Sequence, residues 1–367
     1  MSDIIATKAK TGRDSRVETL RLAACFAVLV LHFKPNTFVN GQRVLARTFV
    51  TCICTDAVGI FLMITGFFFF KSQKYTAKLA DCAKKILLPT IIYTLFVAFV
   101  YPLLSGSPVD FANAARQFVT TIITWNPIIH NAQHLWYMYL YCLIVAVYPL
   151  LNIIKDKLLV KNWRKMLFLM GTFALLYAND YTNNNIFHCE MVPLTVFIPG
   201  CLFVISGGII YQYRQMFEGK ILPFVAGVGM FLAVNATRSI HMQKLLNTDV
   251  TQTHLYGWYT SAGFLCAVSL AVAVLSLKPF TVRTINTIAA TTMDVYILHP
   301  LVSEIITIFG YKNWVIATFL NGKETTLQFL KFTLIYCVSV FIVCSVISII
   351  LKKITSGLKA NQPGKSI

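Results

Sequence analysis

The stretch VETLRLAACFAVLVLHFKPN, residues Val17 to Asn36, has the length and apolar character of a helix that crosses a lipid bilayer. Such a helix needs about 20 predominantly apolar residues. Two of its polar residues, Arg21 and His32, nevertheless lie inside the apolar run. At about 100° and 1.5 Å per residue, they fall within about 20° of one face and differ in depth by about 16 Å. One face of this helix is therefore predicted to carry a cation at one level and an imidazole at another.

The composition of the whole chain indicates the same class of fold. Of its 367 residues, 57% are hydrophobic and 13% are charged, whereas soluble domains hold about 25% charged residues. We predict an all-α protein, a polytopic transmembrane helical bundle of about ten spans in a lipid bilayer. The predicted spans are residues 17–34, 49–70, 86–104, 134–151, 166–179, 192–211, 221–237, 255–276, 285–309 and 329–351.

A single membrane-embedded domain, residues 1–367, is expected. It consists of a cytoplasmic segment 1–16, the bundle 17–351 and a cytoplasmic tail 352–367. Cytoplasmic segments are enriched in Lys and Arg, and with the N-terminus inside they hold 23 of the 32 such residues. Both termini are therefore predicted to be cytoplasmic. The same bias accounts for the net charge of +18, so no nucleic-acid partner is expected, and the cysteine spacing predicts no metal site.

One connection between spans has a pattern of its own. In SGSPVDFANAARQFVTTIITW, residues Ser105 to Trp125, Ser107 is suited to cap a helix that has Pro108 at its first position. Its apolar face is predicted to hold Phe111, Ala115, Phe118 and Ile122. This pattern is typical of an amphipathic helix lying on the outer surface, as an interfacial anchor or as the roof of a site.

Several polar residues fall at the same predicted depth as His32. Asp56 lies in the outer third of the second span, His134 at the start of the fourth, and His299 and Glu304 in the outer part of the ninth. Ionisable groups within spans are expensive and usually mark functional sites. We therefore predict a polar site in the outer half of the bundle.

Each of these residues also has a purely structural interpretation. Arg21 fits a side chain that snorkels to the inner boundary, and His32 fits an interfacial histidine. Trp136 fits the aromatic belt as well as a substrate contact. His299 precedes Pro300 and fits a helix kink as well as a site.

The inner ends of the spans carry cations instead. Lys84 and Lys85 stand immediately before the apolar run that contains Pro89, where they could bind a cytosolic polyphosphate. This separation, with cations at the inner ends and histidines in the outer half, suits group transfer from a charged cytosolic donor to an acceptor at the outer side. An imidazole in a poorly solvated site favours its neutral form, and neutral imidazole is what a general base needs.

Five motifs in order give the chain a family resemblance. They are Arg21-x10-His32, GIFLMITGFFF (Gly59–Phe69), KKILLP (Lys84–Pro89), HLWYMYLY (His134–Tyr141) and DVYILHP (Asp294–Pro300). Together they resemble the integral-membrane acyltransferase-3 family, bacterial enzymes that acylate surface polysaccharides, peptidoglycan and related glycans. The resemblance covers essentially the whole chain.

The resemblance implies a bacterial plasma- or inner-membrane enzyme that transfers an acyl group, most commonly acetyl, to a glycan or glycolipid hydroxyl. Acyl-CoA would be a co-substrate, with no permanently bound cofactor. His32 would be catalytic, as a base or as a covalent acyl carrier, while Arg21, Lys84 and Lys85 would bind the donor. His134, Trp136, His299 and Glu304 are expected on the acceptor side.

The chain departs from the family pattern at three positions. Lys84-Lys85 replaces Arg-x-x-Arg, which removes bidentate phosphate recognition. Thr65 replaces a serine but keeps the hydroxyl, and Gly59 stands where an acid is common, so Asp56 is the expected catalytic carboxylate. A transporter or flippase for a lipid-linked glycan is the rival class, although no matching broken helices occur in two halves of the chain. The acceptor, the acyl group and homo-oligomerisation are left open.

Overall fold

The computed structural model describes residues 13–34, 38–39, 42–70, 74–104, 106, 110–182, 194–245, 257–320 and 325–360. The first half contains helices α1 (Ser15–Phe33), α2 (Leu45–Thr55), α3 (Ala57–Phe69), α4 (Tyr75–Cys82), α5 (Leu88–Leu95), α6 (Tyr101–Leu104), α7 (Phe111–Thr124), α8 (Trp136–Ala146) and α9 (Tyr148–Ile153). The second half contains α10 (Asn162–Thr182), α11 (Leu194–Gln212), α12 (Ile221–Leu245), α13 (Ser261–Ser276), α14 (Arg283–Ala289), α15 (Thr292–Ile308), α16 (Tyr311–Phe319) and α17 (Thr326–Ala360). Short 3₁₀ turns precede α8 and follow α11. The predicted all-helical class is confirmed, with one small addition: strands Phe38–Val39 and Gln42–Arg43 form a two-residue antiparallel pair.

Four helical stretches in the described residues are long and apolar enough to cross a membrane: Leu45–Phe69, Tyr75–Leu103, Ile221–Gln243 and Thr326–Ile354. Two bent pairs raise the number to six if each pair is one span. These pairs, Gln133–Ala146 with Tyr148–Leu158 and Thr292–Ile308 with Tyr311–Phe319, bend by 59° and 78°. The chain is therefore a multi-pass membrane protein, and the count of ten spans stays a prediction.

Helix α1 is the centre of the bundle. It is not one of the four long apolar stretches named above, because its first turns are polar. It packs against α2, α3, α13, α14, α15 and α17. Its start is fixed because Asp14 caps it and because Arg16, only 2% exposed, donates to the carbonyl oxygens of Leu275 and Leu277 at 3.1 and 2.5 Å. The face that carries Arg21 and His32 is thereby held against several other helices.

Helices α3 and α11 approach closely enough that their backbones touch. A methyl group on Gly66 would collide with the carbonyl oxygen of Val204, and one on Gly207 would collide with that of Met63. Small residues at a membrane helix crossing permit such backbone contact. The crossing fixes α3, whose Phe61 and Thr65 contribute to the site described below.

We expect Gly207→Ala to destabilise the fold, because the backbone of α3 cannot move away from the added methyl group as a flexible side chain would. Overpacking of this kind costs about 1–3 kcal/mol. Gly171→Ala in α10 is the matched control, since nothing lies within 4 Å of its new methyl group and Ala in a helix interior gains about 0.5–1 kcal/mol over Gly. Thermal unfolding of the purified variants in detergent measures both changes. Equal melting temperatures for Gly207→Ala and wild type would contradict the close crossing.

The helix that contains Lys84 and Lys85 starts earlier than the sequence predicts. Its helical rod begins at Tyr75 and includes a π-helical turn, Ala83–Leu87, before α5. Residues such as Ala, Leu and Lys favour helix in this stretch even though it is polar. Pro89 has no N–H to donate to the carbonyl four residues back. In the π-helical turn before it, the N–H of Leu88 donates to the carbonyl oxygen of Ala83, five residues back. The two lysines therefore lie within the rod rather than in a loop before it.

Helix α7 begins three residues later than expected for a Ser107 cap. Ser107 and Pro108 lie outside the described residues, and the observed cap is Asp110, whose Oδ1 accepts from the N–H of Asn113 at 3.0 Å. The packed face is also rotated, because Thr121 is fully buried whereas Phe111 is 58% exposed. The hydroxyl oxygen of Thr121 accepts from the N–H of Ile128 at 3.4 Å, which explains why this polar residue faces inward.

Candidate active site

Three histidines from three helical segments meet at one point of the bundle. The ring centroid of His299 lies 4.9 Å from that of His32 and 4.9 Å from that of His134, and the His32 and His134 centroids are 6.4 Å apart. His134 and His299 are 6% and 0% exposed, whereas the side chain of His32 is exposed. Of the three imidazoles, only that of His32 is open to a substrate.

The two buried rings are held by the backbone of α15. Nδ1 of His299 donates to the carbonyl oxygen of Tyr296 at 2.7 Å, because a carbonyl can only accept. Nε2 of His134 donates in the same way to the oxygen of Ile297 at 3.1 Å, and the Tyr296 hydroxyl donates to the oxygen of His134 at 2.5 Å. Nε2 of neutral His299 is therefore an acceptor, and it is buried with no hydrogen-bond partner among the residues that the structure describes. A buried acceptor without a partner next to an accessible imidazole is an unusual and costly arrangement.

A cavity of about 520 Å³, the central cavity, lies beside this cluster. Tyr137 and Tyr296 form part of its wall, and their ring centroids are 5.6 Å apart. Tyr296 also contacts both buried histidines, with ring centroids 5.6 Å from His134 and 5.9 Å from His299. One layer of side chains therefore separates the cavity from the histidine cluster.

Cations line another part of the same cavity, which we call its basic mouth. It contains Arg21 and Lys85, whose role in donor binding stays a prediction, and also Arg13 and Lys78, for which the sequence predicts no role. Lys84 is exposed and is not among the lining residues.

Each acidic neighbour at the basic mouth already binds one of these cations. A guanidinium nitrogen of Arg21 lies 2.5 Å from a carboxylate oxygen of Glu18, and Nζ of Lys85 lies 3.0 Å from Oδ1 of Asp81. Each ion pair joins two residues of its own helix and holds the cation in place. The two pairs do not neutralise the whole basic mouth. The mouth keeps a net positive charge from Arg13 and Lys78, so it is suited to an anionic group.

Asp56 lies in a buried ion pair. Its Oδ1 is 2.7 Å from a guanidinium nitrogen of Arg238, and its Oδ2 accepts from the amide of Asn235 at 3.3 Å. Arg238 also donates to the hydroxyl of Thr55 at 3.2 Å. Asp56 is 0% and Arg238 6% exposed. These contacts join the turn between α2 and α3 to α12, and a catalytic role for Asp56 stays a prediction.

The two remaining predicted site residues have different surroundings. Trp136 is partly buried and stacks on Trp258, with ring centroids 6.2 Å apart and planes inclined by 14°. Glu304 lies near the end of α15, where one carboxylate oxygen is 3.6 Å from Nε2 of the exposed His130. Neither contact joins them to the three histidines, so their predicted roles in acceptor binding rest on position alone.

In the part of the chain that the structure describes, no three His, Cys, Asp or Glu side chains are arranged to hold a metal ion. His32, His134 and His299 share a site without the geometry of a metal centre. Their arrangement is instead suited to proton transfer, because an accessible imidazole faces a fixed imidazole acceptor.

Comparison with known proteins identifies the family. A family model described as an acyltransferase domain, that of the acyltransferase-3 family, matches residues 14–349. The chain belongs to this family and is a membrane acyltransferase. No curated protein and no solved structure matches the chain.

Proposed function

We propose that this protein is an O-acyltransferase of the bacterial plasma or inner membrane. In this proposal it moves an acyl group, most simply acetyl, from cytosolic acyl-CoA to a hydroxyl of a cell-surface or lipid-linked glycan. The observation that carries the proposal is the accessible His32, which lies against two buried imidazoles beside a cavity with a basic mouth. The family supplies the reaction class, and this geometry supplies separate places for an anionic donor and for proton transfer.

The proposal includes the predicted topology of ten spans with both termini in the cytoplasm. The basic mouth of the central cavity then faces the cytosol, where acyl-CoA is found, and the histidine cluster lies deeper in the membrane. The diphosphate of CoA binds at the basic mouth, which contains Arg21 and Lys85, with Lys84 nearby on the same helix. The neutral pantetheine arm extends into the cavity towards Tyr137 and Tyr296. Acyl-CoA is consumed as a co-substrate, and no cofactor stays bound between turnovers.

His32 acts as the general base in this reaction. The acceptor hydroxyl loses its proton to His32 while its oxygen attacks the thioester carbonyl, and a new C–O ester bond forms. The C–S bond breaks, and the CoA thiolate takes the proton from His32. His32 is thereby returned to its neutral form, and the products are the ester and free CoA. An imidazolium at His32 requires an acceptor for its second N–H. Nε2 of His299 is the candidate acceptor, since its ring centroid lies 4.9 Å from that of His32.

The acceptor side of the proposal rests on Trp136, His134 and Glu304. A sugar ring stacks well on a flat aromatic surface, and the partly buried Trp136, supported from behind by the buried Trp258, is the proposed one. His134 is buried, so it acts by holding the loop before α8 to α15 through Ile297. Glu304, near the end of α15 and 3.6 Å from the exposed His130, is the proposed carboxylate on this side.

Inside-out membrane vesicles give the test of this function. We expect radiolabelled acetyl-CoA, added outside such vesicles, to yield base-labile label in the glycan or glycolipid fraction. Right-side-out vesicles are the control, because the donor then faces the wrong side and little label should transfer. A vesicle preparation that moves a lipid-linked glycan without consuming acetyl-CoA would contradict the proposal and favour the transporter class.

A further inference from the structure

A second cavity, the basic cavity, lies between α14 and the final turns of α17. Its volume is about 620 Å³. Among the described residues its wall contains four cations, Arg13, Arg283, Lys352 and Lys353, and no Asp or Glu, although Asp294 lies 2.7 Å from Nζ of Lys352. A wall of this composition in a membrane protein is suited to a phosphate group.

The basic cavity is adjacent to the central cavity, because Arg13 and Ala290 line both. Arg13 is held at this junction: its carbonyl oxygen accepts from the side-chain amide of Asn286 at 3.1 Å, and the Oδ1 of Asn286 accepts from the hydroxyl of Ser15 at 2.9 Å. Ala290 is fixed similarly, since its carbonyl oxygen accepts from Nζ of Lys352 at 2.7 Å. A ligand with two separate anionic groups can therefore contact both cavities across this junction.

A third cavity of about 650 Å³ is a weaker candidate for a phosphate. Its wall holds four arginines, but also Asp14, Glu18 and Glu218. Arg16 is already bound to Asp14 at 2.7 Å and lies 3.6 Å from Glu218. The three acids in this wall repel an added anion, so a phosphate gains more in the basic cavity.

We propose that the basic cavity binds the 3′-phosphate of the CoA donor, which deepens the proposed function and rests on it. CoA carries a diphosphate next to its pantetheine arm and a separate phosphate on its ribose. With the arm in the central cavity, the diphosphate lies near Arg13, and the ribose phosphate binds Arg283 and Lys353. Lys352 holds the junction together through Asp294, 2.7 Å away, and Ala290.

The test compares two ligands that differ only in this phosphate, acetyl-CoA and 3′-dephospho-acetyl-CoA. Binding to the purified full-length protein is measured by calorimetry in nanodiscs of phosphatidylcholine. Wild type should bind acetyl-CoA about tenfold or more tightly than the dephospho form, the effect expected for charge-assisted hydrogen bonds to phosphate. In Arg283→Met/Lys353→Met this ratio should fall to about one, with affinity for the dephospho form unchanged. Lys161→Met is the matched control, because Lys161 is an exposed cation that lines none of the three cavities.

Each other outcome overturns the subsite. Equal weakening of both ligands in the double variant would indicate a general charge effect. An unchanged ratio would place the phosphate elsewhere. A variant that loses thermal stabilisation only in nanodiscs with phosphatidylglycerol, while keeping the ratio, would assign the cavity to a lipid headgroup. If wild-type protein bound neither ligand, the proposed donor itself would fail, which is a different result from failure of the subsite.

Discussion

Replacing His32 by Ala should lower the rate of acyl transfer by about 10²–10⁴-fold, the contribution expected of a general base. The loss should appear in turnover and not in donor binding, because the cations of the basic mouth are separate from the histidine cluster. His32 is exposed, so removal of its ring leaves no buried gap and the fold should keep its melting temperature. Initial rates with labelled acetyl-CoA, together with calorimetry of acetyl-CoA binding, separate these effects.

His241→Ala is the matched control for this variant. His241 is an exposed histidine of α12 with no assigned role, so the same chemical change there should leave the rate at the wild-type level. A His32→Ala protein that transfers acetyl at the wild-type rate would contradict the assignment. Detection of acetyl on His32 by mass spectrometry of acid-quenched wild-type protein would instead replace the base by a covalent carrier.

The depth of the three histidines in the bundle was predictable from the sequence, but their contacts with one another were not. The rise of a helix converts residue number into depth, so His32, His134 and His299 could be placed in the same half of the bundle from the sequence. Their lateral positions depend on contacts between segments far apart in the chain. The hydrogen bond from His299 to Tyr296 is local, because Tyr296 is three residues back in α15. The spacing of these two residues in DVYILHP was therefore the sequence feature that could have identified Tyr296 as part of the site.

The basic mouth was partly predictable because it follows helical periodicity. Lys78, Asp81, Cys82, Lys85 and Ile86 line the central cavity, with the spacing of one helix face. The apolar run predicts a helix only from residue 86, so it gives no basis for separating Lys84 from Lys85. With a helix from Tyr75 onwards, the same rule selects Lys85 and Lys78 and leaves Lys84 off the face.

The partner of Asp56 could not be inferred from local pattern. Arg238 is 182 residues away in the chain and lies in α12, whose sequence shows only an apolar span with a polar end. A carboxylate within a span usually pairs with another polar group. Only the packing of α2 against α12 shows which one it has.

Asp56→Ala should destabilise the protein by about 3–5 kcal/mol, because it leaves the guanidinium of Arg238 buried without its carboxylate. Asp156→Ala is the control: Asp156 is 52% exposed and paired with Lys155 at 3.0 Å, and such surface pairs contribute about 0–1 kcal/mol. Thermal unfolding of both variants in detergent gives the comparison, and equal small losses would contradict a structural role for the Asp56 pair.

The double variant Asp56→Ala/Arg238→Met separates structure from catalysis at this position. Removing both charges abolishes the uncompensated buried cation, so the double variant should be more stable than Asp56→Ala alone. If Asp56 serves only to join α2, α3 and α12, the refolded site keeps the histidine cluster and acyl transfer recovers with stability. If Asp56 takes part in the reaction, as the sequence analysis expects, the double variant folds but stays inactive. The rate of acyl transfer at a matched folded fraction therefore decides between the two roles.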